Sequence, residues 1–280
     1  MAILFALSHP GLDVRAITTV AGNLGLPVTT RNAGRLLALA RRADVPVHGG
    51  AAAPLARPGT DEAATHGADG LGGTTLPDPL RPAGDDAVGF LAETLREAPE
   101  RSLDLLCLGP LTNPALLLAE APDAARRTGR VIAMGGALGE QGNVGPRSEF
   151  NLAHDPEAAA TVLAAGLDVT LVPLDATCRV RADREFLARL ARGPALARAT
   201  GDLITAYFAD RAGAESRPLH DPLVPLLLLH PVAFQVERHS LDVDLSADPG
   251  ALVPGSHVIH VALAPDAPAL LDVLARTLGA

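Results

Sequence analysis

The sequence predicts an α/β fold with an open, mainly parallel or mixed sheet that is flanked by helices. Apolar, β-branched runs alternate along the chain with segments of helical periodicity, which is typical of a parallel sheet covered by helices. Polar residues follow several strand-like runs at their carboxyl ends, the edge where open α/β sheets bind ligands. With 280 residues, 48% of them hydrophobic, the chain is long enough to bury a large core.

The strand-like runs are short, rich in Val, Ile and Leu, and bounded by Gly, Pro, Asn or Asp. In chain order they cover residues 14–20, 45–47, 103–108, 131–134, 169–174, 240–245 and 258–263. Helical segments are predicted from residue 1 and at residues 30–42, 88–98, 113–121, 155–166, 183–191, 194–212, from 221 onward, and at 266–278. The helix after Asp155 is the best defined, because proline stands at its first position and Gly166 follows its end.

Composition excludes several classes of function. The net charge is −9 and basic residues are scattered, so no positive stripe for nucleic acid is predicted. Lysine is absent, which excludes a P-loop or a Schiff-base lysine. The two cysteines, Cys107 and Cys178, are far apart, which favours a reducing, cytoplasmic environment. The apolar start lacks a basic region and stops early, which argues against a signal peptide and a membrane span.

The richest polar segment is the loop at residues 139–151, which carries Asn143, Glu149 and Asn151. One carboxylate and two carboxamides accept and donate hydrogen bonds at fixed positions, which suits the hydroxyl groups of a sugar. The alternative is an ordinary polar loop of turn-forming Asn and Gly. Because the loop lies between a strand and a well-capped helix, we favour a binding site.

Four other candidates each have a simpler reading. Asp221 precedes a proline and could be a helix N-cap rather than a ligand of a hard cation, and Asn23 could be a turn residue. His66 lies in the long Gly-rich loop at residues 51–87, where it could reach a substrate or face solvent. Asp175 could line a pocket or cap the following turn. Asn23, Leu108, the loop at residues 139–151 and Asp175 all lie at the carboxyl ends of proposed parallel strands, so these polar candidates are predicted to converge on one edge of the sheet.

Other chemistries fit poorly. The glycines at 135–139 follow a strand but open no helix, so a dinucleotide-binding fingerprint is weak. No Gly-x-Ser-x-Gly elbow is present. His257 and His260 are three apart on a strand and therefore point to opposite faces, which makes a poor metal pair.

From residue 3 to about residue 261 the chain resembles the inosine–uridine-preferring nucleoside hydrolases. The matching motifs occur in order at residues 17–23, 66–73, 108–113, 134–137, 149–151 and 220–222. The resemblance implies hydrolysis of the N-glycosidic bond of a ribonucleoside to ribose and free base, through an oxocarbenium-like transition state. It also implies that Asn143, Glu149 and Asn151 hold the ribose hydroxyls.

The same resemblance implies Ca²⁺ as a cofactor that activates the attacking water. Asp221 and the backbone carbonyl of Leu108 would be metal ligands, and His220 would assist the departing base. Asn23 would support the site near the metal-bound water, and His66 would approach the base. The family also implies a small-molecule partner only, a cytoplasmic location, and a homodimer or homotetramer.

Family members begin with a strand and an aspartate-rich loop of the type Asp-x-Asp-x-x-x-Asp-Asp, which supplies the general base. This chain begins at Met1, within a predicted helix. We therefore expect a single domain over residues 1–280 that is truncated at its N-terminus and lacks the first strand of the family's sheet. Because the aspartate general base is absent, the competing expectation is a catalytically impaired fragment or a non-catalytic nucleoside- or ribose-binding protein.

Overall fold

The computed structural model describes residues 1–59, 62–207 and 216–280. Its strands are β1 Ile17–Thr19, β2 Val47–Gly49, β3 Leu105–Cys107, β4 Arg130–Met134, β5 Asp168–Val172, β6 Arg181–Asp183, β7 Ser216–Pro218, β8 Gln235–Val243, β9 Leu252–Pro254 and β10 His257–Leu263. Its helices are α1 Ala2–Ser8, α2 Leu26–Ala40, α3 Ala63–His66, α4 Ala87–Glu97, α5 Thr112–Glu120, α6 Pro122–Ala125, α7 Phe150–His154, α8 Pro156–Ala164, α9 Leu174–Thr177, α10 Arg184–Arg192, α11 Ala195–Tyr207, α12 Leu223–Leu229 and α13 Ala267–Thr277.

The central sheet has six strands in the order β3-β4-β5-β10-β8-β9. Neighbours among β3, β4, β5 and β10 are parallel, whereas β8 is antiparallel to both β10 and β9. Helices cover both faces of this sheet. The predicted α/β fold with a mainly parallel, mixed sheet is therefore confirmed.

Strand β4 shows how the sequence divides the core between the two faces. Ile132 and Met134 are buried against α1, α12 and α13, whereas Val131 and Ala133 are buried against α5 and α8. This alternation follows from the two-residue repeat of a strand, and because both faces are covered, all four buried positions of β4, residues 131–134, are apolar. The continuous apolar run that predicted the strand is thus a consequence of burial on both sides.

Helix α1 confirms the helix predicted from the start of the chain. A segment of seven residues is too short to be stable as an isolated helix. Leu4 and Phe5 are both fully buried in the core against α12 and α13, so tertiary packing stabilises the helix. None of the described helices is both long enough and apolar enough to cross a membrane.

The strands β1 and β2 were predicted, but their separation from the central sheet was not. They pair in parallel with each other and form a two-stranded sheet of their own. Strand periodicity identifies a strand and contains no information about its partner, so the separation could not be predicted from the pattern.

Several boundaries differ from the prediction. Strand β8 covers Gln235–Val243 rather than 240–245, because its first half is polar and largely exposed and so lacks an apolar pattern. Strands β6, β7 and β9 have three residues each and were not predicted. The helix predicted at 194–212 is Ala195–Tyr207 within the described residues, and residues 208–212 lie outside them.

Candidate active site

A cavity of about 240 Å³ lies at the carboxyl ends of the parallel strands. It is lined by eight of the nine site residues that the sequence nominated, all except Asp175, namely Asn23, His66, Leu108, Asn143, Glu149, Asn151, His220 and Asp221. The structure therefore brings these eight residues together, although their individual roles remain proposals. Leu108 and the segment 143–151 follow the carboxyl ends of the neighbouring parallel strands β3 and β4, where open α/β sheets bind ligands. His66 ends α3, and His220 and Asp221 follow β7 of the separate β6-β7 sheet.

Glu149 is the most buried acidic residue in this cavity, with 2% of its surface exposed. It is the N-cap of α7, and its Oε2 accepts hydrogen bonds from the backbone N–H groups of Asn151 (3.0 Å), Gly136 (3.2 Å) and Leu152 (3.4 Å). Burial raises the pKa of Glu149 to about 7 against the lowering effect of those donors, and the charge of Asp221 raises it further. Within the described part of the chain, no group donates a hydrogen bond to Oε1.

The turn after β4 gives Glu149 one of these donors. Gly136 has a φ of +86°, a conformation that favours glycine, and an added Cβ would lie 2.6 Å from Leu252 Cδ1. Its carbonyl accepts from the N–H of Leu174 at 2.9 Å, which fixes the turn. Glycine is therefore favoured at position 136, where the backbone directs an N–H at the Glu149 carboxylate.

The two carboxamides are each fixed through one end. Asn151 donates through Nδ2 to the carbonyl of Met134 at 3.1 Å. Asn143 accepts through Oδ1 from the backbone N–H of Phe150 at 2.9 Å. Asn151 Oδ1 and Asn143 Nδ2 have no partner among the residues that the structure describes. The cavity wall therefore presents two acceptors, Glu149 Oε1 and Asn151 Oδ1, and one donor, Asn143 Nδ2.

His220 is oriented by a residue that the sequence analysis did not identify. Its Nδ1 lies 2.8 Å from Oγ1 of Thr177, which is fully buried at the end of α9. A hydrogen bond at one ring nitrogen fixes both the rotamer and the direction in which the other nitrogen points. Thr177 lies 43 residues from His220 in a four-residue helix, so no local pattern in the sequence marks it.

Asp221 follows His220 and lines the same cavity. Burial raises the pKa of Asp221 to about 6, and the amino group of Met1 acts in the opposite direction. No arginine is among the described lining residues. Two carboxyl groups with raised pKa values thus share one cavity, which favours binding of a proton, a cation or a developing positive charge.

The described residues do not form a calcium site by themselves. Within residues 1–59, 62–207 and 216–280, no group of three or more His, Cys, Asp or Glu side chains could hold a metal ion. Asp221 and the carbonyl of Leu108 would supply two oxygens, whereas Ca²⁺ takes roughly six to eight. The described residues therefore fit a bound calcium ion poorly.

A second cavity, of about 380 Å³, adjoins the first and is lined mainly by apolar residues of α1, α2 and the 70–72 turn. At the boundary, the rings of His66 and Tyr207 lie 4.8 Å apart at an angle of 33°. Burial lowers the pKa of His66, so the imidazole is neutral at neutral pH. Tyr207 is the only tyrosine of the chain, but its contact with His66 depends on helix packing that the sequence does not show.

Asp175 and Asn23 have supporting contacts. Asp175 does not line either cavity; its carboxylate accepts from the backbone N–H groups of Leu138 (2.8 Å), Gly139 (2.7 Å) and Glu140 (3.2 Å). It therefore anchors the start of the loop that carries Asn143. The carbonyl of Asn23 accepts from the N–H of residue 62 at 2.7 Å, which links the turn after β1 to the segment that carries His66.

Comparison with known proteins agrees with this geometry. A family model described as inosine-uridine preferring nucleoside hydrolase matches residues 1–272. The pyrimidine-specific ribonucleoside hydrolase RihA of Citrobacter koseri is 40% identical over 252 residues, which cover 85% of this chain and 78% of that protein. A solved plant nucleoside hydrolase is 30% identical with a TM-score of 0.91, and the match covers 100% of this chain and 94% of that one.

A purine-preferring ribonucleoside hydrolase from Gardnerella vaginalis is also similar in structure. It is 26% identical with a TM-score of 0.90, and the match covers 99% of this chain and 93% of that one. The family match over nearly the whole length and the shared fold confirm the resemblance read from the motifs. The chain belongs to the inosine-uridine preferring nucleoside hydrolase family.

Proposed function

We propose that the chain hydrolyses the N-glycosidic bond of ribonucleosides, releasing ribose and a free base, and that it prefers pyrimidine nucleosides. Membership of the nucleoside hydrolase family supports the reaction. The observation that carries the proposal is the convergence of Glu149, Asn151 and Asn143 on one cavity. Together they offer two acceptors and one donor, which matches the hydroxyl groups of a ribose.

The carboxyl groups of Glu149 and Asp221 have a second role in this proposal. As the glycosidic bond breaks, positive charge develops on the ribose, and negative charge in the cavity stabilises it. With pKa values of about 7 and about 6, both groups exchange protons near neutral pH. That is the range in which a carboxyl group is best suited to take the proton of an attacking water.

His220 is the group that we propose to assist the departing base. It lines the cavity beside Asp221, and Thr177 holds its Nδ1. An imidazole held in this way can donate a proton to the nitrogen or oxygen of a leaving base. His66 and Tyr207 border the apolar second cavity, where their rings offer flat surfaces to the base.

The pyrimidine preference is supported by the relatives and gives the first prediction. RihA is 40% identical to this chain, whereas the purine-preferring enzyme is 26% identical. We expect kcat/KM for uridine and cytidine to exceed that for inosine by about tenfold or more, as measured by ribose release. Equal or faster hydrolysis of inosine would contradict the preference but not the reaction. Nucleoside binding without ribose release would instead favour the non-catalytic binding protein.

Calcium gives the second prediction. Asp221 and Leu108 alone make a poor site for a hard cation, so we expect the purified chain to bind Ca²⁺ with a Kd of about 1 mM or weaker in isothermal titration. Asp221→Asn should remove the remaining binding heat, and Asp242→Asn, outside the cavity, should keep it. Micromolar affinity for Ca²⁺ in the wild-type chain would contradict this and would show that more ligands reach the site.

The proposal also places the enzyme in the cytoplasm as a homodimer or homotetramer. Both cysteines, Cys107 and Cys178, are free thiols, which is typical of proteins in a reducing compartment. The oligomeric state rests on the family resemblance alone.

A further inference from the structure

We propose that Asp248 is a positioning residue of the active site, which fixes the loop that carries Asn143 and Glu149. Asp248 lies in the turn between β8 and β9, outside the cavity and 100 residues from the loop that it contacts. The inference rests on the proposed ribose-binding role of Asn143 and Glu149. In this inference the turn between β8 and β9 keeps Asn143 and Glu149 in the positions in which they bind ribose.

The contacts of Asp248 are direct and engage both carboxylate oxygens. Oδ2 accepts from the backbone N–H of Arg147 at 2.8 Å, and Oδ1 accepts from Oγ of Ser148 at 2.8 Å. Ser148 is 3% exposed, so its hydroxyl group depends on this carboxylate rather than on water. Asp248 thus holds the end of the loop immediately before Glu149.

Ser148, which Asp248 holds in place, is in turn hydrogen-bonded to Asn143. Its carbonyl accepts from the backbone N–H groups of Asn143 (3.1 Å) and Val144 (3.4 Å). Asn143 in turn accepts through Oδ1 from the N–H of Phe150, as described above. Ser148 therefore links Asp248 to Asn143, whose carboxamide faces the cavity. The same hydrogen bonds orient Nδ2 of Asn143 toward the cavity.

The loop needs such external support. It contains glycines at 139, 142 and 145, and Val144 at its tip is 48% exposed. Glycine residues lose the most backbone entropy when a segment becomes ordered, so ordering an exposed, Gly-rich loop costs more conformational entropy than ordering other loops. Asp175 anchors its start and Asp248 anchors its end, and both carboxylates come from other parts of the chain.

The turn that carries Asp248 is itself well fixed. The N–H of Asp248 donates to Oδ2 of Asp244 at 3.0 Å, and Oδ1 of Asp244 accepts from the N–H of Ser246 at 2.7 Å. Gly250, with a φ of +89°, lets the turn pack directly on the backbone of Ala153 in α7. The turn is therefore a rigid support and not a second flexible loop.

Asp248→Asn tests the inference, with Asp242→Asn as the matched control. Asp242, in β8, also accepts a backbone N–H, that of Ser256 at 3.0 Å, and lies 3.6 Å from Nε2 of His257. Among the described residues it has no hydrogen bond to the loop at 139–151. An asparagine at 248 can still accept from Arg147 through Oδ1, but it meets Ser148 with an NH2 donor, so two charge-assisted hydrogen bonds are replaced by weaker neutral ones. We expect KM for uridine to rise about tenfold with a smaller change in kcat, because the loop must then be ordered by the substrate.

Hydrogen exchange of the amides at residues 142–151 gives a readout that does not depend on activity. We expect faster exchange in Asp248→Asn and unchanged exchange in Asp242→Asn. Ser148→Ala removes one of the same bonds without touching the turn, so it should give the same direction of change even if Asp248→Asn folds poorly. The double variant should change exchange by less than the sum of the two single variants, since both remove the charge-assisted bond between Ser148 and Asp248.

The outcomes separate this inference from the proposed function. Unchanged amide exchange at 142–151 in both Asp248→Asn and Ser148→Ala overturns the inference, whether or not the wild-type chain releases ribose. An unchanged KM in an active enzyme also overturns it. A wild-type chain that releases no ribose, together with faster loop exchange in the variants, refutes the proposed function and supports the positioning role of Asp248 in the loop.

Discussion

Replacing Glu149 by glutamine is expected to stabilise the protein at about pH 8 and to slow nucleoside hydrolysis. Burial raises the pKa of Glu149 from 4.5 to about 7, so the folded protein binds this proton more tightly than the unfolded chain does. The free energy of unfolding therefore falls as the pH rises from about 4.5 to about 7 and stays lower above that range. Glutamine avoids this cost because it buries no charge.

The expected gain for Glu149→Gln is about 3 kcal/mol at pH 8 and close to zero at pH 4, as measured by urea unfolding at both pH values. Glu157→Gln is the matched control with the opposite sign. Hydrogen bonds from Arg57, at 2.9 and 2.6 Å, lower the pKa of Glu157, so its replacement should not stabilise the protein. A Glu149→Gln variant with no gain at pH 8 would show that the carboxyl group is not buried as a charge.

Although Glu149→Gln should stabilise the fold, it should lower the activity of the enzyme. The variant loses the negative charge beside the ribose and presents an amide in place of a carboxylate. We expect kcat/KM for uridine to fall about 100-fold, because hydrogen bonds and charge at the sugar strengthen in the transition state. A stabilised variant with full activity would mean that Glu149 is a structural N-cap only.

His220→Ala is expected to lower kcat for uridine by a factor of about 100 to 10,000, the usual contribution of a positioned acid or base. The reason is that the departing base leaves without a proton donor. Thr177→Val should give a smaller loss, about tenfold, because it removes only the hydrogen bond at Nδ1. Steady-state assays of ribose release measure both effects, with His257→Ala, outside the cavity, as the control for loss of a histidine.

A substrate with a better leaving group makes this test specific. p-Nitrophenyl riboside releases a phenolate that needs no protonation, so His220→Ala should affect its hydrolysis much less than that of uridine. An equal loss on both substrates would show that His220 has another role, for example in the shape of the cavity. No loss on either would remove it from the mechanism.

The sequence predicted the fold and the position of the site because both depend on local patterns. β4 and β5 are continuous apolar runs buried on two faces, and α8 begins at an aspartate-proline pair with the capping bond predicted for it. Asn143, Glu149 and Asn151 belong to one segment after β4, and Asn23 and Leu108 follow β1 and β3. The rule that ligands bind at the carboxyl ends of parallel strands therefore placed this part of the site. The positions of His66, His220 and Asp221 did not follow from that rule, because they lie at the end of α3 and after the unpredicted strand β7.

The residues that were missed act through contacts between distant segments. Thr177 holds His220 from a four-residue helix. Asp175 was considered as a pocket residue or a cap, and it proves to anchor a loop 35 to 37 residues away. None of these pairs leaves a periodic or motif signal, because their proximity results from packing and not from spacing.

A crystal structure of the chain with a nucleoside analogue that resists hydrolysis would test the central claim most directly. The account predicts the sugar in the 240 Å³ cavity, with its hydroxyl groups within hydrogen-bonding distance of Glu149 Oε1, Asn151 Oδ1 and Asn143 Nδ2. A ribose bound elsewhere, or one that contacts none of these three atoms, would contradict it.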